Sequence, residues 1–396
     1  MRYRVDPKTG NRLSALGFGC MRFPRGISGR IDIEKAEKLV LSAIERGVNY
    51  FDTAYVYFGS EQALGEVFRR NPGIREKIFL ATKLPHYQCE TYRDFDKIFN
   101  AQLKRLNADY IDYYLIHNLT GESDWNRIKE MGADSWIARK KADGQIRRIG
   151  FSFHGARGDF TALLDAYEWD FCMIQYNYMN ENHQAGREGL AKAAQKGIAV
   201  MVMEPLLGGK LAKGLSKKAA KIFKDAKAEY SPAAWALRWL WNQSEVTVVL
   251  SGMNAMEQLD ENIATADGVQ AGDLTKEEMS AIAAAVEAMR EPYRIPCTEC
   301  GYCVPCPKGV NIPGSFAAYN SSYASGLIPS ISSYMTSTRA MVPGNNHSAR
   351  NCVKCGACEK RCPQKIAVMD ELSKVVKRME PPWLMAGAAL YRRLTR

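Results

Sequence analysis

Residues 32–54 read DIEKAEKLVLSAIERGVNYFDTA and hold one complete helix-to-strand unit. Ala36, Leu39, Val40, Ala43 and Ile44 fall at the i, i+3, i+4, i+7 spacing of a helix with one apolar face. Asp32 is placed to cap its first turn and Gly47 to end it. Asn49–Ala54 follows as a run of strand length without strict alternation, the pattern of a strand covered on both faces in a parallel sheet.

The same unit recurs outward from there. Strand-length runs return at Ala15–Cys20, Ile78–Leu84, Ile111–Asn118, Arg148–His154, Phe171–Asn177, Ala199–Pro205 and Thr247–Met253. Helical spacing returns at Glu61–Arg70, Phe95–Leu106, Trp125–Ala142, Arg187–Gln195, Pro232–Asn242 and Glu257–Ala266. Strands alternating with helices in this way predict an α/β fold, a (β/α)8 barrel whose chemistry sits at the C-terminal ends of the strands. A doubly wound open sheet is the alternative. It needs a glycine-rich fingerprint after its first strand, and Gly17-Phe18-Gly19 has no third glycine at the required spacing. Thr275 and Glu278 form a capping box ahead of an Ala-rich run to Met289, and Glu291–Pro296 reads as a linker.

The chain of 396 residues is 46% hydrophobic and 24% charged, a balance that excludes wholesale disorder and fibrous repeats. No apolar run approaches the roughly 20 residues of a membrane-crossing helix, and the first residues lack the apolar core of a secretory signal. A cytoplasmic protein without a membrane span is expected. The net charge of +11 raises the question of nucleic acid. Six basic residues lie between Lys374 and Arg396 against Glu380 alone, and no basic stripe with interleaved aromatics accompanies them. A basic tail, solvated or docked on an acidic partner, accounts for the excess, and no nucleic acid is expected.

Eight of the eleven cysteines fall between residues 297 and 362, whereas Cys20, Cys89 and Cys172 are scattered as ordinary barrel residues. This skew divides the chain into a barrel over 1–290, a small, mainly α-helical cysteine domain over 291–372 and a basic tail over 373–396.

Polar residues gather at the predicted strand ends. Asp52 closes the second strand and Tyr57 follows it; Lys83 lies at the end of the third and His117 at the end of the fourth. An ammonium beside a phenol favours the phenolate and lowers its pKa. Lys83 would supply that ammonium, with Asp52 holding it charged. Tyr57 would then act as general acid toward a carbonyl oxygen, and His117 as a second donor.

The chain here resembles the aldo/keto reductases. The matching segments are Leu16-Gly17-Phe18-Gly19, Asp52-Thr53-Ala54 through Tyr57 with Gly59-Ser60-Glu61, Ala81-Thr82-Lys83, Leu115-Ile116-His117, Ile149-Gly150-Phe151-Ser152, Gln175-Tyr176-Asn177 and Glu204-Pro205-Leu206. The resemblance implies an NADPH or NADH lying across the barrel rim, a small-molecule carbonyl or alcohol substrate, and Asp52, Tyr57, Lys83 and His117 as the catalytic tetrad. It further implies cofactor contacts from Gly19, Cys20, Asp52, Ser152, Gln175, Glu204, Leu206, Ser251, Gly252, Asn254, Glu261 and Asn262. Three departures stand out. Ser152-Phe153-His154 replaces the family's Ser-Asn pair, and Met203 stands where an aromatic stacks on the nicotinamide. Ser251–Asn254, where a basic cluster would clasp the 2′-phosphate, holds no Lys or Arg.

The C-terminal cysteines form two sets, Cys297, Cys300, Cys303 and Cys306 before Pro307, and Cys352, Cys355, Cys358 and Cys362 before Pro363. The second set has the spacing of bacterial ferredoxins; the first is one residue tighter. Disulfides do not suit a cytosolic chain with spacing this close, and structural zinc favours cysteine pairs over triplets plus one. Two [4Fe–4S] clusters in a ferredoxin-like domain are expected. An exchange of fourth ligands would give Cys297, Cys300, Cys303 and Cys362 to one cluster, and Cys352, Cys355, Cys358 and Cys306 to the other.

Nicotinamide moves hydride and a cluster moves single electrons, so direct exchange needs an intermediary such as a flavin or a radical-tolerant substrate. The favoured reading is an iron–sulfur oxidoreductase whose clusters wire the barrel site to an acidic carrier such as ferredoxin. The alternatives are a plain NAD(P)H-dependent carbonyl reductase with structural clusters, and a non-catalytic redox-sensing module.

Overall fold

A computed structural model describes residues 1–155, 157–182, 184–291, 293–297, 303–324, 326–338, 340, 347–362 and 364–383. Cys300, Pro363 and the last thirteen positions of the expected tail therefore lie outside the described residues. The chain divides into two compact units, Met1–Lys213 with Lys227–Met279, and Gly214–Ala226 with Ser280–Arg396.

The first unit opens with an antiparallel hairpin, β1 (Tyr3–Val5) and β2 (Arg12–Ser14). Eight strands follow: β3 (Leu16–Gly19), β4 (Tyr50–Asp52), β5 (Phe79–Leu84), β6 (Ile111–Leu119), β7 (Ile146–Phe153), β8 (Phe171–Gln175), β9 (Ala199–Met203) and β10 (Val246–Ser251). They close in chain order into a parallel barrel, with β10 pairing back onto β3. The (β/α)8 expectation is correct. The hairpin left no sequence signal of comparable length. It sits at the N-terminal end of the strands, where the Tyr113 hydroxyl donates to Asp6 at 2.8 Å and Asn11 Nδ2 donates to that hydroxyl at 3.1 Å.

The barrel interior is filled by buried side chains including Tyr50, Tyr113, Leu115, Phe171, Met201 and Val248, packed in layers as in other barrels of this kind. Gly17 belongs where nothing larger fits: a Cβ there would come within 2.7 Å of both Leu250 and Val248.

Outside the strands, Ile33–Glu45 is helical, with Asp32 accepting from the Lys35 amide at 3.2 Å and Gly47 left-handed just beyond. The predicted helix over 125–142 is two, Glu122–Glu130 and Ala133–Ala142, because Gly132 adopts φ 91° between them. The helix Arg157–Asp165 carried too little periodicity to be read from sequence. Thr275 and Glu278 do form the capping box, each side chain accepting from the other's amide at 3.2 and 2.8 Å.

In the second unit, helices Ile312–Ala324, Leu327–Thr338 and Val368–Met379 enclose a separate core around Ile295, Phe316, Tyr334, Leu372 and Val375. Buried Glu380 accepts from the hydroxyls of Tyr334 and Ser348 at 2.5 Å and from Arg350 at 2.9 Å. The segment read as a basic tail thus begins inside a packed helix, since Val375, Met379 and Glu380 are all buried. Among the described residues no helix is long and apolar enough to cross a membrane.

Candidate active site and cluster site

Strand register brings three of the predicted residues to one rim of the barrel. Asp52 ends β4 and pairs with Ala81 of β5; Lys83 of β5 pairs with Leu115 of β6, two residues before His117. Lys83 Nζ donates to Asp52 Oδ1 at 2.7 Å, to Asp52 Oδ2 at 2.6 Å and to the Thr53 carbonyl at 2.7 Å, all buried. Two charges out of water hold only when both are paired and hydrogen-bonded, and these are. Burial works against the ammonium, but Asp52 and Tyr57 outweigh it and keep Lys83 above its ordinary range.

Tyr57, on the turn after β4, lays its ring 4.9 Å from Lys83 Nζ and meets His117 edge-on at 6.1 Å between centroids. Its phenol differs from the sequence expectation. Burial raises its pKa more than Lys83 lowers it, with Asp52 also raising it, so the phenol rests protonated. His117 moves the other way. Burial, the Lys83 cation and the neighbouring His154 and His86 push its imidazole down to about 3. It is neutral across the physiological range, and its buried Nδ1 has no hydrogen-bond partner.

A supporting layer lay beyond the sequence reading. Glu61 is buried and accepts from Thr82 Oγ1 at 2.7 Å, Gln102 Nε2 at 2.8 Å and Arg105 at 3.1 Å. Gln102 also donates to the Lys83 carbonyl at 3.0 Å and accepts from Tyr114 at 2.7 Å. Only the Glu61 motif position hinted at it; Gln102, Arg105 and Tyr114 come from a later helix and the outer face of a strand.

Around the mouth, His86 is held by Arg127 through its ring nitrogen at 3.1 Å and its carbonyl at 2.7 Å. The Tyr87 ring reaches within 6.5 Å of His117, and Phe58 stands 79% exposed. Leu119 is fully buried at the end of β6.

The predicted cofactor residues divide by what they already bind. Ser152 Oγ accepts from the Asn118 amide at 2.8 Å. Asn262 Nδ2 donates to Ser251 Oγ at 3.0 Å, and Glu261 accepts from the Ser231 hydroxyl. The Asn254 amide is taken by Gln258 at 2.9 Å, and Cys20 is buried against the Phe18 carbonyl. Glu204 is left-handed at φ 55°, its carbonyl accepting from Asn177 at 3.1 Å, and Leu206 follows on the same turn, ahead of Leu207–Gly209. Gly19 lies against β10, where a Cβ would meet the Ser251 carbonyl at 3.3 Å. Gln175 differs from the rest: it is 2% exposed, and neither its Oε1 nor its Nε2 has a partner. A buried carboxamide left with one donor and one acceptor fits the amide of a nicotinamide.

In the second unit, Cys306, Cys352, Cys355 and Cys358 line one pocket together with Cys303. Its apolar wall comes from Pro305, Ile312, Met369 and Leu372. Lys354 and Gly356, at φ 56° and 73°, curl the chain around the second cysteine set. Cys362 is buried and Cys297 packs on the same core. Among the described residues no three potential ligands are arranged for a single ion. A cubane asks for something different, one thiolate on each of four irons, and the cysteine set with its apolar wall fits that group.

Comparison with known proteins agrees with this architecture. The aldo/keto reductase family model matches residues 15–287, and a 4Fe-4S dicluster domain model matches residues 296–367. The L-galactose dehydrogenase of Arabidopsis thaliana is 27% identical over 321 residues, covering 74% of this chain and 95% of its own. The Schizosaccharomyces pombe protein named aldo-keto reductase yakc [NADP(+)] is 26% identical over 312 residues, covering 69% and 89%. In structure, an aldo-keto reductase from Bacillus halodurans in its holo form superposes with a TM-score of 0.60 at 24% identity, over 73% of this chain and 97% of that one. The chain belongs to the aldo/keto reductase family, an oxidoreductase barrel followed by a 4Fe-4S dicluster domain.

Proposed function

We propose that the protein interconverts a small-molecule carbonyl and its alcohol at the barrel rim with NADPH or NADH, and that two [4Fe–4S] clusters pass electrons to or from that site. The grouping of protonated Tyr57, charged Lys83 and neutral His117 carries this reading. The unpartnered Gln175 supports a nicotinamide, and so does the fission-yeast relative named for NADP(+).

When bound, nicotinamide supplies or takes up hydride, and the clusters supply single electrons. In the reducing direction Tyr57 Oη gives its proton to the carbonyl oxygen, and the uncharged His117 donates an N–H to the same oxygen. Lys83 stabilises the negative charge that Tyr57 acquires, and Asp52 holds Lys83 in position. In the oxidising direction Tyr57 takes the proton back. Hydride and single electrons meet only through a carrier of both, which a flavin or a radical-tolerant substrate provides. An acidic carrier of the ferredoxin type is the expected external partner.

Anaerobic titration of the iron-reconstituted protein with NADH or NADPH tests the coupling. Cluster bleaching and a paramagnetic signal support one electron path. Clusters that stay oxidised with nicotinamide yet reduce with a low-potential donor reject it. Tyr57→Phe is expected to abolish carbonyl turnover while iron content stays unchanged; undiminished turnover would overturn the assignment of Tyr57.

A further inference from the structure

The stretch after β10 contains no basic residue, yet a cation stands beside it. Arg22 closes the short turn Cys20–Arg22 that follows β3. Its stem runs along Gly252: a Cβ there would lie 3.2 Å from Arg22 Cδ, 3.3 Å from its Cβ and 3.4 Å from its Cγ. Its Nη2 reaches the other way, to 3.7 Å from where a Cβ on Gly208 would be. Gly208 follows β9 and Gly252 follows β10, the seventh and eighth strands of the barrel. Loops after these two strands frequently form a phosphate-binding site in (β/α)8 barrels.

The guanidinium is exposed to solvent, and no carboxylate among the described residues neutralises it. Gly208 and Gly252 add no side chain beside the guanidinium, and Gly208 at φ 68° belongs to a turn that disfavours any other residue. A side chain at 252 would displace the Arg22 stem.

We propose that Arg22 is the phosphate-binding cation of the barrel, holding the phosphate on the ring-bearing half of a nucleotide cofactor between the Leu207–Gly209 turn and Gly252. A planar guanidinium suits this, since it presents paired donors to phosphate oxygens. The cation thus reaches the site from the opposite side of the barrel seam. This inference rests on the nucleotide reading above and extends it to a specific residue. Nicotinamide mononucleotide and riboflavin 5′-phosphate units share the phosphate concerned, so NADPH, NADH and FMN are all probes.

The test is equilibrium binding by tryptophan fluorescence or calorimetry on the full chain with clusters reconstituted, comparing wild type, Arg22→Ala and Arg22→Lys. Loss of one charge-assisted contact predicts roughly tenfold or weaker binding in Arg22→Ala, equal for NADH and NADPH. Arg22→Lys should recover part of it. Unfolding temperature and cluster absorbance should match wild type in both variants. FMN binding that is lost in Arg22→Ala supports the same site and names a flavin as its source. Undiminished binding of every nucleotide in Arg22→Ala overturns the proposal and leaves the nucleotide reading standing. A loss confined to NADPH overturns it too, since that places Arg22 on the 2′-phosphate. If wild type binds none of the three, both the proposal and the nucleotide reading fall.

Discussion

His117 sets a pH dependence that follows first from burial, with the Lys83 cation, His154 and His86 acting in the same direction. Its imidazole titrates near 6.5 when unfolded and at about 3 in the folded barrel. Below pH 6.5 the unfolded chain therefore binds the proton that the folded chain refuses, so stability falls as pH drops toward 3, by up to about 1.4 kcal/mol per pH unit. Above pH 6.5 both forms are neutral and the contribution is constant. Thermal unfolding of wild type and His117→Gln across pH 4–7 checks this, and the variant should show the shallower slope. Lys83→Met should leave Asp52 as a buried, unpaired carboxylate and cost several kcal/mol of stability. It should also cost 10²-fold or more in turnover, read from melting and steady-state rates together. The convergence of Asp52, Lys83 and His117 on one rim was legible because each lies at or near the C-terminal end of a strand and the strands are parallel. The resting state of Tyr57 was not, because a sequence reveals that Lys83 is near but not how much water burial removes.

The alternation of strand and helix was legible because parallel strands buried on two faces leave long apolar runs. What stayed hidden depends on contacts between elements. The helices Ser60–Arg70 and Tyr92–Leu106 approach so closely at Gly65 that a Cβ there would fall 2.0 Å from the Arg105 carbonyl oxygen. Nothing in the residues around Gly65 announces this, since the partner comes from the following helix. Gly65→Ala should separate the two helices and cost about 1–3 kcal/mol. Because Glu61, Gln102 and Arg105 sit on that seam, carbonyl turnover should fall with stability, as denaturant melts and kcat measured side by side would reveal. A single-helix reading of 125–142 failed for a related reason, since the left-handed turn at Gly132 is set by backbone and not by apolar spacing.

For the molecule as a whole, the cysteine spacing made the cluster domain legible, while the exchange of ligands is a matter of three-dimensional path. If Cys306 serves the cluster of Cys352, Cys355 and Cys358, then Cys306→Ser and Cys352→Ser should lose the same half of the iron and the same paramagnetic signal. Cys362→Ser should lose the other. Iron analysis and low-temperature spectroscopy of the three variants distinguish this from ligation within each motif. The second unit also includes Gly214–Ala226, a stretch lying in sequence between two parts of the barrel, with Lys218 paired to Glu291 at 2.6 Å and Ser216 bonded to the Ala288 carbonyl at 3.3 Å. During synthesis on the ribosome this stretch emerges well before the residues it joins, so the second unit cannot be completed until the chain is nearly finished. A fragment ending at Met279 would carry the helix Lys217–Ala226, whose Ala219 and Phe223 are buried in the full chain, without the Ala288 and Glu291 that Ser216 and Lys218 bond. Such a fragment should self-associate, and light scattering beside the full chain would register it.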